Sequence, residues 1–339
     1  MEQIIVGNPV SPVPQVKTVL VDEDAAGQRL DNFLMRHLKG VPKSHVYRII
    51  RSGEVRVNKG RACADDRVAA GDQVRLPPVR ISGRVAEKAD AMAATIASGA
   101  PAREFSILFE DDYLIAIDKP AGVAVHGGSG VSFGVIEQLR MARPQAVFLE
   151  LIHRLDRETS GILLIAKKRS ALKLLQNQFR ERETGKTYLA LVLGRWPASK
   201  KVLDKPLHKY LLANGERRVK VVGKDDPDGM PSVTLVRSRP TSTLAFTLLE
   251  VTIKTGRTHQ IRVHLANEGH PIAGDDKYGD FDANKKLMRT VDSPALKRMY
   301  LHAWRLQFSH PASGERIELS SPLPLELEIF SDHAAPPPV

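Results

Sequence analysis

Between residues 79 and 104 the chain reads VRISGRVAEKADAMAATIASGAPARE, and no other stretch constrains the fold as much. It is too poor in large apolar side chains to build a core, and Gly83, Gly99 and Pro101 interrupt it. Such a segment reads as a linker, with one weak helix expected around 86–97. A chain of 339 residues is long enough for two or three domains and at least one sizeable core, and this segment divides it into a short N-terminal part and a long C-terminal part. The expected organisation is a flexible tail over 1–19, a compact module over 20–78, the linker over 79–104, a second domain over 105–325 and a C-terminal tail over 326–339.

Charge separates the two parts further. The whole chain carries 50 Lys+Arg against 39 Asp+Glu, a formal charge of +11, which suggests a polyanionic partner. Residues 28–75 hold eleven Lys/Arg and only five Asp/Glu. In GQRLDNFLMRHLKG, Leu30, Phe33, Leu34 and Leu38 recur at helical spacing, and Gly40 stands where a helix would stop. PKSHVYRIIRSG repeats the plan with Val46, Ile49 and Ile50, closed by Gly53. Arg48 and Arg51 lie three apart and share the face that the apolar residues leave open. EVRVNKGRA then alternates like a strand, and AGDQVRLPP reads as a closing strand after a Gly-Asp turn. Two short helices and a small sheet with a basic face fit a nucleic-acid module. Arg29, Lys43, Arg48, Arg51, Arg56, Lys59 and Arg61 are the candidate phosphate contacts. Two solvated amphipathic helices are the plainer alternative.

Cys63 is the only cysteine, so no internal disulfide can form and a thiolate metal centre is not expected. The first residues, MEQIIVGNPVSPVPQVK, lack a basic n-region and are broken by three prolines, so they are not expected to act as a signal peptide. No apolar run approaches the ~18 residues that would cross a bilayer. The expectation is a cytoplasmic protein that makes no use of a membrane.

From residue 105 the texture changes. FSILFEDDYLIAIDKPAGVAVHGG reads as two strands about an Asp-Asp turn, followed by a glycine-rich loop. GILLIAKK is a buried strand, SALKLLQNQFRERE a helix with Leu172, Leu175 and Phe179 on one face, and KTYLALVLG and LAFTLLEVTIKTG alternating strands. THQIRVHLANEG is a short helix, with Thr258 as N-cap and Gly269 closing it. Strands dominate, so the fold class is α+β with a mixed, mainly antiparallel sheet. HGGSGVSFG (126–134) lacks the order of a nucleotide-phosphate loop.

HRLDRETSG, residues 153–161, holds the central question. Asp156 sits where one strand ends and another begins, between Arg154 and Arg157, ahead of a Thr-Ser-Gly turn. It is either a surface ion pair or a carboxylate that its neighbours orient for chemistry. A second cluster, KTGRTHQIRVHLANEGHPIAGDDKYG (254–279), is dense in His, Arg and Gly directly after a strand. His259 and His264, five apart, are poorly spaced for two ligands on one helical face, so no metal is expected and packing, capping or phosphate contact suits them better. Tyr188 begins a strand beside Arg182 and Lys186 and is either a stacking platform for a base or a core tyrosine.

Two resemblances bear on these choices. RLDNFL, PKSHVYRIIRSGEVRVNKG and AGDQVRLPP together resemble an S4-type RNA-binding domain. HRLDRETSG, GKTYLA and GRTHQIRVH, in this order and spacing, resemble the pseudouridine synthases of the RluA family, and the likeness extends over roughly residues 20–325. It implies Asp156 as the catalytic residue, Arg154 as the side chain that enters the RNA stack when the target base leaves, and Tyr188 as the ring against the flipped uracil. It also implies Arg262 as the partner of Asp156, and Leu301, in MYLHAWRLQFSHP, as a leucine lining the pocket. The most similar members imply 23S ribosomal RNA or a precursor of the large ribosomal subunit as partner, a monomeric enzyme and no cofactor. Isomerising uridine breaks N1–C1′, turns the uracil and rejoins it through C5 with no net redox change. Three steps are open to the carboxylate: attack on C6, attack on C1′ or removal of a sugar proton. Two other classes compete. One is a non-enzymatic S4-domain ribosome-binding protein; the other is a metal- or His-dependent RNA hydrolase using His153, His259 or His264.

Overall fold

The computed structural model describes residues 16–38, 41, 43–78, 102–127, 133–213, 215–239, 245–289 and 294–333. The weak helix expected at 86–97, the Gly40 stop, the Lys43 side chain and the middle of the HGGSGVSFG loop lie outside the described residues. The chain divides into two compact units, 1–100 and 101–339.

The first unit contains β1 (Lys17–Leu20), α1 (Leu30–His37), α2 (Lys43–Arg51), β2 (Arg56–Val57) and β3 (Gln73–Leu76). Its strands pair antiparallel in the order β1-β3-β2. The apolar residues read at helical spacing form its core: Leu30, Phe33 and Leu34 meet Val46, Ile49 and Ile50 over Val55 and Val74. Each such side chain, fully removed from water, contributes roughly 1.5–3 kcal/mol. Gly53, at φ +73°, ends the second helix in the left-handed conformation that favours glycine. Order begins earlier than expected, because residues 17–19 of the supposed tail belong to β1, which pairs with β3 from Lys17 to Leu20. Asp31, buried in the first turn of α1, receives both arms of Arg29 (3.2 and 3.0 Å) and the hydroxyl of Tyr47 from α2 at 2.9 Å. Those bonds hold its carboxyl below the usual range and tie the two helices together.

The second unit is built on a ten-stranded sheet. Its strands are β4 (Ser106–Glu110), β5 (Leu114–Lys119), β6 (Glu150–Leu151), β7 (Ser160–Ala166), β8 (Gly185–Leu193), β9 (Val202–Asp204), β12 (Val233–Arg239), β13 (Phe246–Ile253), β14 (Leu301–Ser309) and β15 (Arg316–Ser320). The order is β4-β5-β7-β14-β8-β13-β12-β9, with β15 on β14 and β6 on β7. Only β14 against β7 is parallel among these pairings, so the sheet is mixed and mainly antiparallel as expected. β10 (Leu207–Leu211) and β11 (Arg217–Val221) form a separate two-stranded ribbon. The helices are α3 (Val135–Ala142), α4 (Arg169–Glu181), α5 (Gln260–Asn267), α6 (Phe281–Met288) and α7 (Leu325–His333).

Continuous apolar runs lie where both sheet faces are covered. In β7 every residue is buried; Leu163 and Ile165 face a core with Ile136 and Leu139 of α3, while Ile162 and Leu164 face one with Leu175 of α4. β13, covered on one face, alternates instead. Two expectations are corrected. The C-terminal tail placed at 326–339 begins as α7, whose Leu327 and Phe330 are buried in the central core. Leu327 and Phe330, three apart in LELEIF, form the buried face of that helix. Helix α5 starts at Gln260, with His259 rather than Thr258 as its cap residue. The Gln260 side chain instead folds the turn that leads into the helix, accepting from the Arg257 N–H at 3.0 Å and the Thr255 hydroxyl at 2.7 Å. No helix among the described residues is long and apolar enough to cross a membrane.

Candidate active site

Asp156 lies on the loop between β6 and β7, anchored by buried Ile152 and Leu155 on one side and by β7 on the other. A turn bond from the Thr159 N–H to the Asp156 carbonyl, 3.1 Å, folds the loop. Beneath it, fully buried Lys119 donates to the carbonyls of Pro120, Val123 and Arg157 at 2.8, 2.9 and 3.1 Å. Burial pushes this ammonium group down to about 7. The loop that carries Asp156 is therefore fixed from below by a lysine that water does not reach.

Around Asp156 opens a cavity of about 420 Å³, inside the roughly 300–1,000 Å³ range of small-ligand clefts. Arg154, Asp156, Tyr188, Arg262 and Leu301, drawn from separate stretches of sequence, all line it. Leu301 is buried at the start of β14, whose Ala303 pairs with Tyr188 of β8. Burial, and then the negative charge of Asp156, push the Tyr188 phenol above its ordinary value, so it stays protonated at neutral pH. Arg154 is exposed at the mouth.

Arg262 does pair with Asp156, its Nη1 3.7 Å from Oδ2, but its fork is directed elsewhere. Nε and Nη2 grip Asp275 at 2.7 and 2.6 Å, and Nη2 also reaches Asp276 at 3.1 Å. Burial opposes the charge on Arg262, yet the bonds to Asp275 outweigh it and hold the guanidinium above its ordinary value. The same bonds hold the Asp275 carboxyl down against its own burial. Asp275 is thus the anchor that aims Arg262 at Asp156. The expectation of two arginines flanking the carboxylate is corrected too: Arg157 turns away, donating to the Gly122 carbonyl at 3.0 Å and pairing with Glu158.

The histidines divide. His153 accepts the Leu164 N–H at 3.1 Å and stacks on Phe179, and burial pushes it down to about 3. Both ring nitrogens of His264 are engaged, with the Thr234 hydroxyl and the Lys205 carbonyl. Of the three, His259 faces the carboxylate, its Nε2 3.9 Å from Oδ2 of Asp156. Among the described residues, Cys63–Asp65–Asp66 and His208–Asp226–Asp228 lie close enough to hold a cation, and neither group lines this cavity.

In the first unit, Arg51 and Arg61 line one cavity with Tyr47 and Ser44. Arg48 bonds His45 at 2.9 Å on the exposed face of α2, as its spacing indicated. Lys59 is exposed in a turn at φ +68°, and Arg56 is half-buried on β2. Arg29, by contrast, is committed to Asp31. Sequence reasoning missed Lys119, Asp275 and Tyr278. The only signal for the last two was GDDKYG, an acidic pair and a tyrosine behind a glycine.

A mixed sheet with an aspartate, an arginine and a tyrosine in one cleft, following a small basic domain, defines a class. The description of the RNA pseudouridylate synthases matches residues 113–267, and that of the S4 domain matches residues 28–74. The chain belongs to the RluA-type pseudouridine synthases that carry an S4 domain. It is 50% identical over 310 residues to the ribosomal large subunit pseudouridine synthase C of Salmonella typhimurium, covering 91% of this chain and 94% of the relative. The protein of that name from Pasteurella multocida is 50% identical over 313 residues, 92% of each chain. Among solved structures, human RNA pseudouridylate synthase domain containing 4 superposes with a TM-score of 0.55 at 27% identity, covering 74% of this chain and 97% of that one.

Proposed function

We propose that this chain isomerises uridine to pseudouridine in 23S ribosomal RNA of the large subunit, as a cytoplasmic monomer, with Asp156 as the catalytic carboxylate. The observation that supports the role of Asp156 most directly is its setting. Among the described residues it is the one carboxylate lining a cleft of mainly apolar, aromatic and basic side chains, with a buried arginine aimed at it. The substrate follows from relatives named for the large ribosomal subunit at half identity over nearly the whole chain.

The target nucleotide leaves its stack to enter the cleft, at a cost of a few kcal/mol, and Arg154 at the mouth fills the gap it leaves. Tyr188, a neutral phenol on an apolar wall, stacks on the uracil, while Leu301 shapes the far side. The N1–C1′ bond breaks, the base turns, and C5 bonds C1′. The C5 proton is lost and N1 gains one, so atoms and electrons balance without an oxidant or an energy source. Arg262 orients the Asp156 carboxylate where bound RNA excludes water. Basic residues of the S4 domain hold phosphates.

Purified wild type and Asp156→Asn, incubated with unmodified large-subunit ribosomal RNA, test the reading. The expected result is pseudouridine with wild type, none with the Asn variant, and RNA affinity within a few-fold for both. Robust turnover by Asp156→Asn would remove Asp156 from catalysis.

A further inference from the structure

A line of hydrogen bonds reaches Asp156 from the two-stranded ribbon. The backbone N–H of Val219 in β11 donates to the Tyr278 hydroxyl at 3.0 Å, and that hydroxyl lies 2.8 Å from Nδ1 of His259. A tyrosine hydroxyl has one proton to give. Val219 takes up one acceptor position on the oxygen, an arrangement that favours giving that proton to Nδ1, 2.8 Å away. A neutral imidazole that accepts at Nδ1 carries its own proton on Nε2. Nε2 is the nitrogen 3.9 Å from Oδ2 of Asp156, the same oxygen that Nη1 of Arg262 approaches to 3.7 Å.

Capping is not the duty of His259. It precedes α5 but makes no side-chain capping bond. Its backbone sits at φ +52°, a left-handed conformation that costs free energy in any residue but glycine. That conformation accompanies a ring set edge-on to Tyr278, 5.5 Å between centroids, with its side chain 15% exposed in the Asp156 cavity. The ribbon end of the line is held as well. Val219 packs on Val263 of α5 and on Tyr278, and Arg218 donates to the Lys277 carbonyl.

We propose that Val219, Tyr278 and His259 form a tautomer-fixing relay whose terminal Nε2–H, with Arg262, holds Oδ2 of Asp156 and so presents Oδ1 to the base. His259 is a positioning residue in this arrangement. It deepens the reading of Asp156 as the catalytic carboxylate and rests on it. Catalytic hydrogen bonds are commonly long before substrate binds and tighten in the complex; the gaps of 3.7 and 3.9 Å have to close by roughly 0.5–0.7 Å to reach hydrogen-bond length when the cleft fills.

Two substitutions separate the ring nitrogens. His259→Asn keeps an amide near Nδ1 and tolerates the left-handed backbone, but it does not reach Asp156. His259→Gln extends an amide N–H to the place of Nε2. With large-subunit ribosomal RNA as substrate, His259→Asn should lower kcat roughly 10–100-fold, the scale of one charge-assisted hydrogen bond, with KM within a few-fold. His259→Gln should recover most of the loss. Tyr278→Phe, which frees the tautomer, should lower kcat in the same sense. Wild-type kcat in the Asn variant, or equal impairment of the Asn and Gln variants, overturns the relay. Wild-type enzyme that forms no pseudouridine overturns the reading of the site itself, so the two failures are distinguishable.

Discussion

Arg262 serves two carboxylates, and they differ in what they do for the protein. Asp275 is almost wholly buried (side chain 1% exposed) and takes both arms of the fork, whereas Asp156 is 21% exposed and faces one remaining nitrogen. Breaking a buried pair from one side leaves an uncompensated charge, so Asp275→Asn should lower unfolding free energy by roughly 3 kcal/mol. Asp156→Asn should leave the unfolding midpoint nearly unchanged while abolishing turnover. Urea unfolding of both variants checks the contrast; equal stability would mean that Asp275 anchors nothing. Arg262→Lys keeps the charge and loses the fork, so activity should fall at least ~100-fold, equivalent to about 2.7 kcal/mol. At Tyr188 the raised phenol makes stacking by the ring, rather than proton removal, the expected contribution. Tyr188→Phe should accordingly retain much more pseudouridine formation than Tyr188→Leu. Equal rates for the three proteins would assign Tyr188 to the core alone.

The element that makes the site possible is the β7–β14 junction, the parallel pairing in an otherwise antiparallel neighbourhood. Gly161 opens β7 at φ +110°, and a Cβ there would stand 2.3 Å from the Ala303 carbonyl oxygen and 2.8 Å from its N. Gly161→Ala would force β14 away from β7, displacing both the Asp156 loop and Leu301. The expected cost is at least ~3 kcal/mol from backbone strain and overpacking together. Thermal unfolding of the second unit, followed alongside activity, tests it; an unchanged transition would mean that the junction yields freely. The glycine was visible in HRLDRETSG, but as a turn residue. Its actual role depends on a strand some 140 residues later, and pattern within one segment carries no such information. Periodicity did reveal α1, α2, α4, β8 and β13, because each buries one face of a regular repeat. Asp156, Tyr188 and Arg262 were legible because of motif order. Lys119 was not: a lysine beside a proline reads as a solvated turn, and only the tertiary structure shows three carbonyls closing over it. His259 was noticed, but its tautomer and direction depend on Tyr278 and Val219, neither of which it adjoins in sequence.

At the scale of the whole molecule, the two units hold separate cores. One cluster is composed of residues 19–76, and the others draw only on residues from 105 onward. Each unit thus buries the apolar surface that its own stability requires, and neither core loses a member when the other is removed. Binding and chemistry should separate in the same way. The first unit carries exposed Arg48, Arg51, Lys59 and Arg61, while the Asp156 cavity is lined wholly by the second. Deleting residues 1–78 should therefore weaken binding to large-subunit ribosomal RNA and flatten its salt dependence, since each phosphate left unneutralised takes away about 0.9 of a unit of log–log slope. With three or four phosphates released, the slope should fall by about three units, well within the resolution of a titration between low and physiological salt. A short, already unpaired RNA at high concentration should still be converted, because the cleft and its arginine remain. Full-length ribosomal RNA, which has to be found and opened first, should suffer much more. A truncated protein with the original salt slope and full activity on ribosomal RNA would refute this division of labour, and a folded fragment inactive on every RNA would show that the first unit helps to build the active site.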